Sequence, residues 1–556
     1  MYSWLPILLL ILIVLLILSV LGSNNSKKKK LSQIRKRWGK PKYANRSFKF
    51  IAAYLNDSSD STISPDTTAD LNLDDLFEYI DRTNSKPGQQ YLYKKLHTPG
   101  ISGAYFDALE KQIAFVNRDQ NLRELAELEL SKLSHFNAYY LPGLFSKPQQ
   151  PLFKPLFKFY IAVAPFLTIT LFISLFIIPN QFAFVLLLLM VVGNVAIHFI
   201  NKIKTVGYTP SLPQLLILYD VGKWLAKNKL FEDTSTVDDS LNKIAKLKKS
   251  LSFINLQNKL EGDPTDISFL IAEWLKMFLL IEPLVFIISI GRVNKYLDNI
   301  KTLFEAVAAV DMAISIQSVR EGCGYYCKPQ FITGSDNISI KGLYHPLIEN
   351  CIANSINIDN KQGVLITGSN MSGKTTFIRA VAINAILSQT INTSFAHEYC
   401  SPPLKVSTSI NINDDLEENK SYFQAEALSV KSIIEDVAAS GPINSLVIID
   451  EIFRGTNTIE RIAAAKAVLS YLIKNESFVF VSTHDLELAE LLGEDYKVFS
   501  FEELIVDGQL VFDYKIKEGL LKNKNGIAVL KRLGFPNSII DEATQVSAQL
   551  RSKYNL

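Results

Sequence analysis

The chain has 556 residues, which is enough for three or four domains with well-buried cores. Its 58 Lys and Arg nearly balance 55 Asp and Glu, so the net charge of +3 excludes a globally basic nucleic-acid coat and a dominant acidic tail. Four cysteines exclude a disulfide scaffold and disfavour a zinc module, because the C-x3-C of Cys323 and Cys327 has no second pair nearby. The apolar share of 48% is therefore the unusual feature of a chain with 20% charged residues.

Two stretches hold this apolar excess and predict membrane spans. Residues 5–21 form an uncharged Leu/Ile/Val run that is just long enough to cross a hydrocarbon core of about 30 Å. Residues 159–201 contain no charged side chain, and a Pro-Asn break near residue 179 divides them into two spans joined by a tight hairpin. A further apolar stretch, 277–291, is marginally long and contains Glu282, so we favour a buried helix of a soluble region over a fourth span.

Flanking charge predicts the orientation of these spans. Four lysines at 27–30 follow the first span, and no basic residue precedes it, so the positive-inside rule places its C-terminal end in the cytoplasm. Lysines also flank both ends of the hairpin. We therefore expect an uncleaved anchor and a multi-pass protein of the cell (inner or plasma) membrane, with both soluble parts in the cytoplasm. Binding of nucleic acid or anionic lipid is the alternative use of the basic cluster.

The rest of the chain divides into segments that differ in composition and periodicity. Residues 1–25 are the predicted anchor, and 26–70 are a basic juxtamembrane segment followed by a polar linker at 56–70. Helical periodicity dominates 71–335 on both sides of the hairpin, with Leu241, Ile244 and Leu247 on one face, and predicts a helical core. Residues 336–556 alternate short β-type runs with helical patterns, which predicts an α/β domain.

A phosphate-binding motif stands at the start of this α/β domain. An apolar strand at 364–367 leads into the sequence GSNMSGKT and then into a helical pattern at 376–387, the context that G-x-x-x-x-G-K-[ST] requires. Backbone N–H groups of such a loop turn toward phosphate oxygens, Lys374 reaches the β- and γ-phosphates, and the Thr375 hydroxyl ligates Mg²⁺. The predicted ATP-binding residues are Gly368, Ser369, Asn370, Met371, Ser372, Gly373, Lys374, Thr375 and Thr376.

Two later strands end in polar residues that complete this chemistry. The strand at 445–449 leads into Asp450 and Glu451, which suit a Mg²⁺ ligand and a carboxylate that polarises the attacking water. The strand at 477–481 is followed by His484, which can contact the γ-phosphate or that water. A purely structural histidine is the less favoured alternative. The catalytic residues predicted in this chain's own sequence pattern are Glu451 and His484, with Asp450 and Thr375 as metal ligands.

These motifs together resemble the ATPase domain of the MutS family of DNA mismatch-repair proteins. The resemblance rests on TGSNMSGKTTFIRAVAIN, SYFQAE, DEIFRGTN, STHD and a C-terminal run from Gly526 to Ala543, with a weaker match at LNLDDLFEYIDRTNSKPGQQYLYKKLHTP. It covers about 71–150 and 205–556. It implies an ABC-type P-loop ATPase domain behind an α-helical core and lever region, a homodimer with composite ATP·Mg²⁺ sites, and a C-terminal helix-turn-helix that supports the dimer. Ser421 matches the serine that the family delivers to the partner's γ-phosphate.

The chain also departs from the pattern of the family at several positions. Asn419 replaces the usual loop glycine, and Cys351 stands where an aromatic residue often stacks the adenine. Residues 1–70 are too short for the domain that inserts a Phe-x-Glu wedge at mismatches, so mismatch reading itself is not expected. Two functions remain open: coupling of ATP to binding of double-stranded DNA at the membrane through basic residues such as those in 27–49, or a membrane mechanoenzyme that uses no nucleic acid. An ABC transporter is a weaker third, because no LSGGQ-type signature is present.

Overall fold

The structure is a computed structural model that describes residues 27–56, 62–100, 103–148, 150, 152–178, 180–205, 208–250, 267–369, 371–411, 422–439, 444–506, 509–520, 527, 530 and 534–554. The predicted N-terminal span at 5–21 lies outside these residues. The described residues divide into two compact units, which are treated separately below. One unit draws on Met1–Ser59, Ile80–Lys94 and Gly103–Gly322, and the other on Asp60–Tyr79, Lys95–Ser102 and Cys323–Leu556.

The first unit is built from helices, as the periodicity predicted. A helical segment at 27–37 comes first. The α-helices that follow, two of which begin or end in the second unit, are Phe48–Ile51, Ala53–Asn56, Leu73–Ile80, Lys86–His97, Gly103–Asn117, Gln120–Leu130, Pro155–Ile177, Gln181–Lys204, Tyr208–Lys227, Thr234–Ser250, Ile267–Phe278, Ile281–Val293 and Leu297–Gly322. Short 3-10 turns occupy Ser131–Leu133, Phe136–Leu144 and Asn294–Tyr296. Leu241, Ile244 and Leu247 are buried on the helix Thr234–Ser250, which confirms the predicted face. Leu303, Val307 and Val310 are fully buried on the long last helix.

Two helices coincide with the predicted hairpin at 159–201. They are Pro155–Ile177, the first hairpin helix, and Gln181–Lys204, the second hairpin helix, with mean hydropathy of 2.2 and 2.5 over their most apolar windows. Only 17% and 11% of those windows is buried within the protein, so most of their apolar side chains lie on the surface. Among the described residues, the stretch Ile281–Gly322 is also long and apolar enough to cross a membrane, but 72% of its window is buried.

The apolar stretch at 277–291 does not form one helix. It contains the end of Ile267–Phe278, a turn at Leu279 and Leu280, and most of Ile281–Val293. Leu280 adopts a left-handed backbone conformation with φ of 49° and is fully buried against Ile161 and Ala164 of the first hairpin helix. The sequence favoured one buried helix here, whereas the structure has two helices separated by a turn, and Leu280 at this turn packs on the first hairpin helix. The packing partner could not be predicted because periodicity does not identify the partner of an apolar helix.

The basic juxtamembrane segment is partly folded into the helical unit. Arg46 pairs with Asp81 at 3.0 Å, with both side chains 3% exposed. The ammonium group of Lys42 donates to the backbone oxygens of Arg82 and Thr83 at 2.6 and 2.7 Å. Arg35 pairs with Glu124 at 2.7 Å. Lys42 and Arg46, two of the basic residues within 27–49, therefore neutralise or cap groups of this chain.

The second unit contains two sheets. Its strands are β1 (Gln330–Phe331), β2 (Ile338–Leu343), β3 (Asn354–Ile358), β4 (Gly363–Gly368), β5 (Glu398–Ser401), β6 (Leu404–Ser409), β7 (Asn444–Asp450), β8 (Phe478–Ser482), β9 (Tyr496–Val506) and β10 (Gln509–Glu518). The larger sheet has the order β10-β9-β4-β8-β7-β6 and is parallel except for β10. The smaller sheet has the order β1-β5-β2-β3. Strands β4, β7 and β8 are almost fully buried, which explains their unbroken apolar runs.

Helices cover the larger sheet and place its polar ends. They are Lys374–Ile391, Tyr422–Ala439, Thr458–Lys474 and Glu487–Leu492, with a 3-10 turn at Gly493–Asp495. The C-terminal helix is Asn537–Tyr554. Helix Thr458–Lys474 begins at Asn457, whose side chain accepts from the Glu460 N–H, an N-cap bond. Of the predicted C-terminal helix-turn-helix, Gly526 lies outside the described residues, and the helix Asn537–Tyr554 is present.

The predicted linker at 56–70 is partly a helix. Pro65–Asp70 is helical and is capped by Ser64, whose hydroxyl accepts from the Thr67 N–H at 3.1 Å. Asp70 is buried and accepts from the Thr408 hydroxyl and from the Ile410 N–H, both at or just past the end of β6. The Ser/Thr/Asp composition that suggested a linker is thus the composition of a capped helix whose polar residues bond an edge strand.

Candidate nucleotide site

The loop after β4 has the backbone shape that its sequence predicted. Gly368 and Gly373 have φ values of 150° and 107°, and a Cβ on Gly368 would lie 2.8 Å from both the Phe501 carbonyl oxygen and the Ser372 hydroxyl. Gly373 caps the helix Lys374–Ile391, so the N-terminus of that helix points into the loop. Met371 has φ of 69° and is 84% exposed. Asn370 lies outside the described residues.

Lys374 folds back into this loop. Its ammonium group donates to the carbonyl oxygens of Gly368 and Ser369, each at 3.0 Å, and lies 3.4 Å from Nε2 of His484. The residue is only 5% exposed. Burial lowers the pKa of this amine, and the carboxylates of Glu451 and Asp450 partly oppose that effect. The lysine thus sits between the loop and the carboxylate pair.

Asp450 joins three elements of the sheet edge. Its Oδ2 accepts from the Thr375 hydroxyl at 2.7 Å, and its Oδ1 accepts from the Ser482 hydroxyl. The register β7–β8 pairs Asp450 with Ser482, because parallel strands bring their carboxyl ends to one edge. The two residues predicted as metal ligands, Thr375 and Asp450, are therefore in direct contact.

Glu451 lies beside Asp450 with a strained backbone. Its φ is 56°, and its N–H donates to the Ser482 carbonyl oxygen at 2.9 Å. Its carboxylate pairs with His484 Nε2 at 2.9 Å and with Arg454 Nε at 2.7 Å. Burial opposes ionisation of Glu451, but the hydrogen bond and charge of His484, with Arg454 and Lys374, outweigh it and hold the pKa of the carboxyl below its usual value.

Several side chains near the loop were not identified from the sequence. Glu503 on β9 accepts from the Ser369 hydroxyl at 2.9 Å. Arg461 forms a two-bond ion pair with Asp485, at 2.6 and 2.9 Å, directly after His484. Glu426 is buried and accepts from the Arg454 N–H at 3.1 Å. Asp485 and Glu426 stood within the motifs, but no local signal connected Glu503 or Arg461 to the site, because each comes from a distant element.

An apolar cavity of about 350 Å³ opens beside the loop. Its lining includes Tyr344, His345, Cys351, Phe377 and Tyr514. Cys351, which stands at the position of the adenine-stacking aromatic in the resemblance, does line this cavity. Tyr514 reaches it from an irregular register of β10, where its φ is 52°, and its carbonyl oxygen accepts from Asn354 at 2.9 Å. Burial, with the charge of Arg379, lowers the pKa of His345 to about 4.

The residues of the loop fit a bound polyphosphate with Mg²⁺. Among the residues that the structure describes, the Ser372 hydroxyl is buried without a hydrogen-bond partner, and the Lys374 ammonium group contacts loop carbonyls and His484. No group of three or more His, Cys, Asp or Glu side chains suited to a metal occurs among the described residues. A hydroxyl and a carboxylate, as Thr375 and Asp450 offer here, are the types of protein ligand that a phosphate-bound Mg²⁺ takes at P-loop sites.

Comparison with known proteins identifies the family. The model of MutS domain V matches residues 364–551, which include β4, the loop, Asp450, Glu451 and His484. The chain is 31% identical over 276 residues to the DNA mismatch repair protein MutS of Carboxydothermus hydrogenoformans, a match that covers 47% of this chain and 32% of that protein. Residues 364–551 of this chain belong to the MutS domain V family.

Other MutS proteins match to a similar extent. The DNA mismatch repair proteins MutS of Clostridium perfringens and Clostridium tetani are 32% and 33% identical over 285 and 277 residues. These matches cover 48% and 47% of this chain, but only 30% and 31% of the relatives. The match thus spans about a third of the length of the MutS proteins. Of the predicted site residues, Ser421 joins Asn370 outside the described residues, and the others surround one loop.

Proposed function

We propose that this MutS-like chain binds and hydrolyses ATP with Mg²⁺ at the loop that follows β4. The observation that carries the proposal is that four side chains from three elements meet on one side of the loop. Lys374 begins the helix after the loop, Asp450 and Glu451 lie at the end of β7, and His484 follows β8. MutS domain V, whose model matches this region, supports the same assignment.

Each residue has a defined task in this proposal. On ATP binding, Lys374 leaves the carbonyl oxygens of the loop and donates to phosphate oxygens. Its hydrogen bonds to the anionic phosphate are stronger than those to the neutral carbonyls. The loop N–H groups and the N-terminus of helix Lys374–Ile391 add positive potential. Thr375 and Asp450 would hold Mg²⁺, which would neutralise charge that develops on the phosphates.

Glu451 and His484 act on the attacking water. The low pKa of Glu451 keeps its carboxylate ionised at neutral pH, so that it accepts a hydrogen bond from water and orients it for in-line attack. The 2.9 Å contact with His484 fixes the carboxylate, and Arg454 holds its other oxygen at 2.7 Å. His484 lies 3.4 Å from Lys374, where it can contact the terminal phosphate.

We further propose that the ATPase works as a homodimer with composite sites, to which Ser421 of one protomer contributes at the partner's nucleotide. Exposed apolar side chains around the loop support this arrangement. Met371 is 84% exposed, and Ile459 is 82% exposed on the first turn of the helix that follows Asn457. Burial of these side chains between two copies would favour association when ATP bridges them.

The membrane part of the proposal rests on the two hairpin helices. Their long apolar windows are 17% and 11% buried, so more than four fifths of the residues in each are at least partly exposed. Lysines flank the hairpin at Lys154, Lys158, Lys202 and Lys204, which favours a cytoplasmic ATPase at the cell membrane. Lipid is the solvent that suits such a surface.

The proposed output is ATP-coupled binding of double-stranded DNA at the membrane. The relatives are DNA mismatch repair proteins, and Lys27, Lys28, Lys29 and Lys30 are exposed and suited to phosphate contacts. A mechanoenzyme without nucleic acid is the second candidate. It is favoured by the diversion of Lys42 and Arg46 into internal contacts, which leaves fewer basic groups for DNA.

One experiment separates the two outputs. The full chain is reconstituted in lipid vesicles, and ATP hydrolysis is measured without DNA and with homoduplex, mismatched and branched DNA at low and high salt. Stimulation by any DNA at low salt that fades at high salt supports DNA coupling. Hydrolysis that depends on lipid but ignores every DNA supports the mechanoenzyme, and absence of hydrolysis under all conditions overturns the ATPase proposal.

A further inference from the structure

The segment Ile267–Val293 packs on the two hairpin helices along a broken apolar path. Its first helix, Ile267–Phe278, and its second helix, Ile281–Val293, are separated by Leu279 and Leu280. Leu280 is fully buried in a cluster with Ile161 and Ala164, and Leu284 and Ile287 pack against the same cluster. The apolar surface of the hairpin therefore continues onto this segment.

A hydrogen bond from the hairpin satisfies the break between the two helices. The side-chain amide of Asn194 donates to the Phe278 carbonyl oxygen at 2.7 Å and to the Thr168 hydroxyl at 3.2 Å. Tyr160 donates to the oxygen of the same side chain at 2.9 Å. Asn194 is fully buried. Non-helical backbone is tolerated at membrane depth only where the protein satisfies it, and this asparagine meets that requirement at the break.

The break lies at a defined depth along the hairpin. Asn194 precedes Lys202 by eight residues, which corresponds to about 12 Å at about 1.5 Å per helical residue. On the first hairpin helix, Ala164 follows Lys158 by six residues, or about 9 Å. The two lysines mark the cytoplasmic end of the hairpin in the proposed orientation. Phe278 and Leu280 thus lie roughly 10 Å below that end, within the hydrocarbon of one leaflet.

Neither helix of the segment is long enough to cross a bilayer. Helices of 12 and 13 residues extend for about 18 and 20 Å, whereas a hydrocarbon core is about 30 Å thick. Three of the charged side chains of the segment, Glu273, Lys276 and Glu282, lie near a polar group of the protein. Lys276, 3% exposed, bonds to Glu273 at 2.8 Å, and Glu282 lies 3.9 Å from His198 of the second hairpin helix. Trp274 and Leu275 are 54% and 45% exposed.

We propose that Ile267–Val293 is a re-entrant membrane element, which enters the cytoplasmic leaflet beside the hairpin, turns at Leu279 and Leu280, and presents Trp274 and Leu275 to lipid acyl chains. The inference rests on the proposed placement of the hairpin in the membrane. Helix Leu297–Gly322, which follows directly, belongs to the buried core of the helical unit. The element therefore connects the lipid-embedded helices to that core through a second route besides the ends of the hairpin.

Tryptophan quenching in the full-length protein tests this placement. Trp4, Trp38 and Trp224 are replaced by Phe, so that Trp274 is the remaining native indole, and the protein is reconstituted in bilayers with brominated acyl chains. Two matched proteins carry one indole elsewhere: Phe172→Trp on the exposed face of the first hairpin helix, in a background with all four tryptophans replaced by Phe, and native Trp224 alone, in the helix Tyr208–Lys227.

We expect the fluorescence of Trp274 to fall in brominated bilayers by an amount comparable to that of the Phe172→Trp reporter, with little change for Trp224. If the fluorescence of the Phe172→Trp reporter falls but that of Trp274 does not, the re-entrant element is overturned while the membrane placement of the hairpin is retained. Retention of fluorescence at both positions overturns the membrane placement itself and, with it, this inference.

Cysteine labelling provides a second measurement in case a tryptophan substitution disturbs the fold. In a chain whose four native cysteines are replaced by Ser, Leu275→Cys should react slowly with a charged maleimide in intact bilayers and rapidly after detergent is added. Lys243→Cys, on an exposed position of another helix, should react rapidly in both conditions. Equal and rapid labelling of both positions in intact bilayers contradicts the proposal.

Discussion

The Thr375 hydroxyl donates a 2.7 Å hydrogen bond to Oδ2 of Asp450 and so connects the first turn of the loop helix to the end of β7. The contact brings together two oxygen ligands that are 75 residues apart in the sequence. Because the Ser482 hydroxyl occupies the other oxygen of Asp450, the carboxylate is held in one orientation toward the loop. In the proposed mechanism, this arrangement would orient two oxygen ligands for a hard cation.

The first prediction concerns this ligand pair. Thr375→Val removes the hydroxyl while it keeps the side-chain volume, so we expect ATP hydrolysis to require about tenfold or more Mg²⁺. Thr375→Ser retains the hydroxyl and should keep the wild-type Mg²⁺ dependence. The measurement is a Mg²⁺ titration of hydrolysis at fixed ATP. An unchanged titration for Thr375→Val would remove this residue from the metal site.

Lys374 supplies the second prediction. Lys374→Ala removes a charge-assisted hydrogen bond to phosphate, and we expect the dissociation constant for ATP to rise about 10- to 100-fold. Binding is measured with a fluorescent ATP analogue at equilibrium. Lys466→Ala, on the exposed face of helix Thr458–Lys474, is the matched control and should bind as the wild type does. Equal affinities for the two variants would contradict the assigned role.

The third prediction separates binding from hydrolysis at Glu451. Glu451→Gln keeps the side-chain size but removes the carboxylate, so turnover should fall about 100- to 10,000-fold while ATP still binds. A dimer held closed by unhydrolysed ATP should then accumulate in size-exclusion chromatography. Glu435→Gln, at an exposed helical position, provides the control. Wild-type turnover by Glu451→Gln would refute its role at the attacking water.

The fourth prediction is a pH dependence in the helical unit. Burial raises the pKa of the Glu127 carboxyl from 4.5 to about 7, although Lys42 and Arg123 oppose the shift. A proton therefore binds the folded form more tightly than the unfolded form, and this contribution is fully present below pH 4.5 and lost as the pH rises through about 7. The loss amounts to about 3 kcal/mol at most.

Glu127→Gln tests that sign. The variant has no carboxyl to ionise, so its melting temperature relative to the wild type should increase between pH 5 and pH 8, whatever the offset from the lost pairing with Arg123. The exposed substitution Asp239→Asn should give a difference that does not vary with pH. If the difference in melting temperature between Glu127→Gln and the wild type does not change with pH, the pKa of the Glu127 carboxyl is not raised in the folded protein.

The sequence predicted those parts of the fold that depend on neighbouring residues. Strands β4, β7 and β8 are apolar throughout because both faces of the sheet are covered, and the polar residues at their ends identify Lys374, Asp450, Glu451 and His484 directly. The helices on either side of the hairpin followed from periodicity for the same reason.

Partners that are distant in the sequence could not be predicted in this way. Glu503 bonds to Ser369 across 134 residues, and Tyr514 reaches the cavity because of an irregular register in β10. Lys42 and Arg46 looked like surface charges until their buried partners in the helical unit were visible. The packing of the apolar segment around Leu280 was not predicted for a related reason, since composition does not specify what covers an apolar segment.

The bonds of Thr67 and Asp70 to the end of β6 have a consequence for how this protein is divided in the laboratory. β6 is an edge strand of the larger sheet, and its Thr408 N–H donates to the Thr67 hydroxyl at 3.2 Å. A fragment cloned from residue 336 onward would carry every catalytic side chain but would leave that edge open to pairing with other chains. A version of the motor without the helical unit therefore needs residues 60–79 and 95–102, which belong to the same compact unit as residues 323–556.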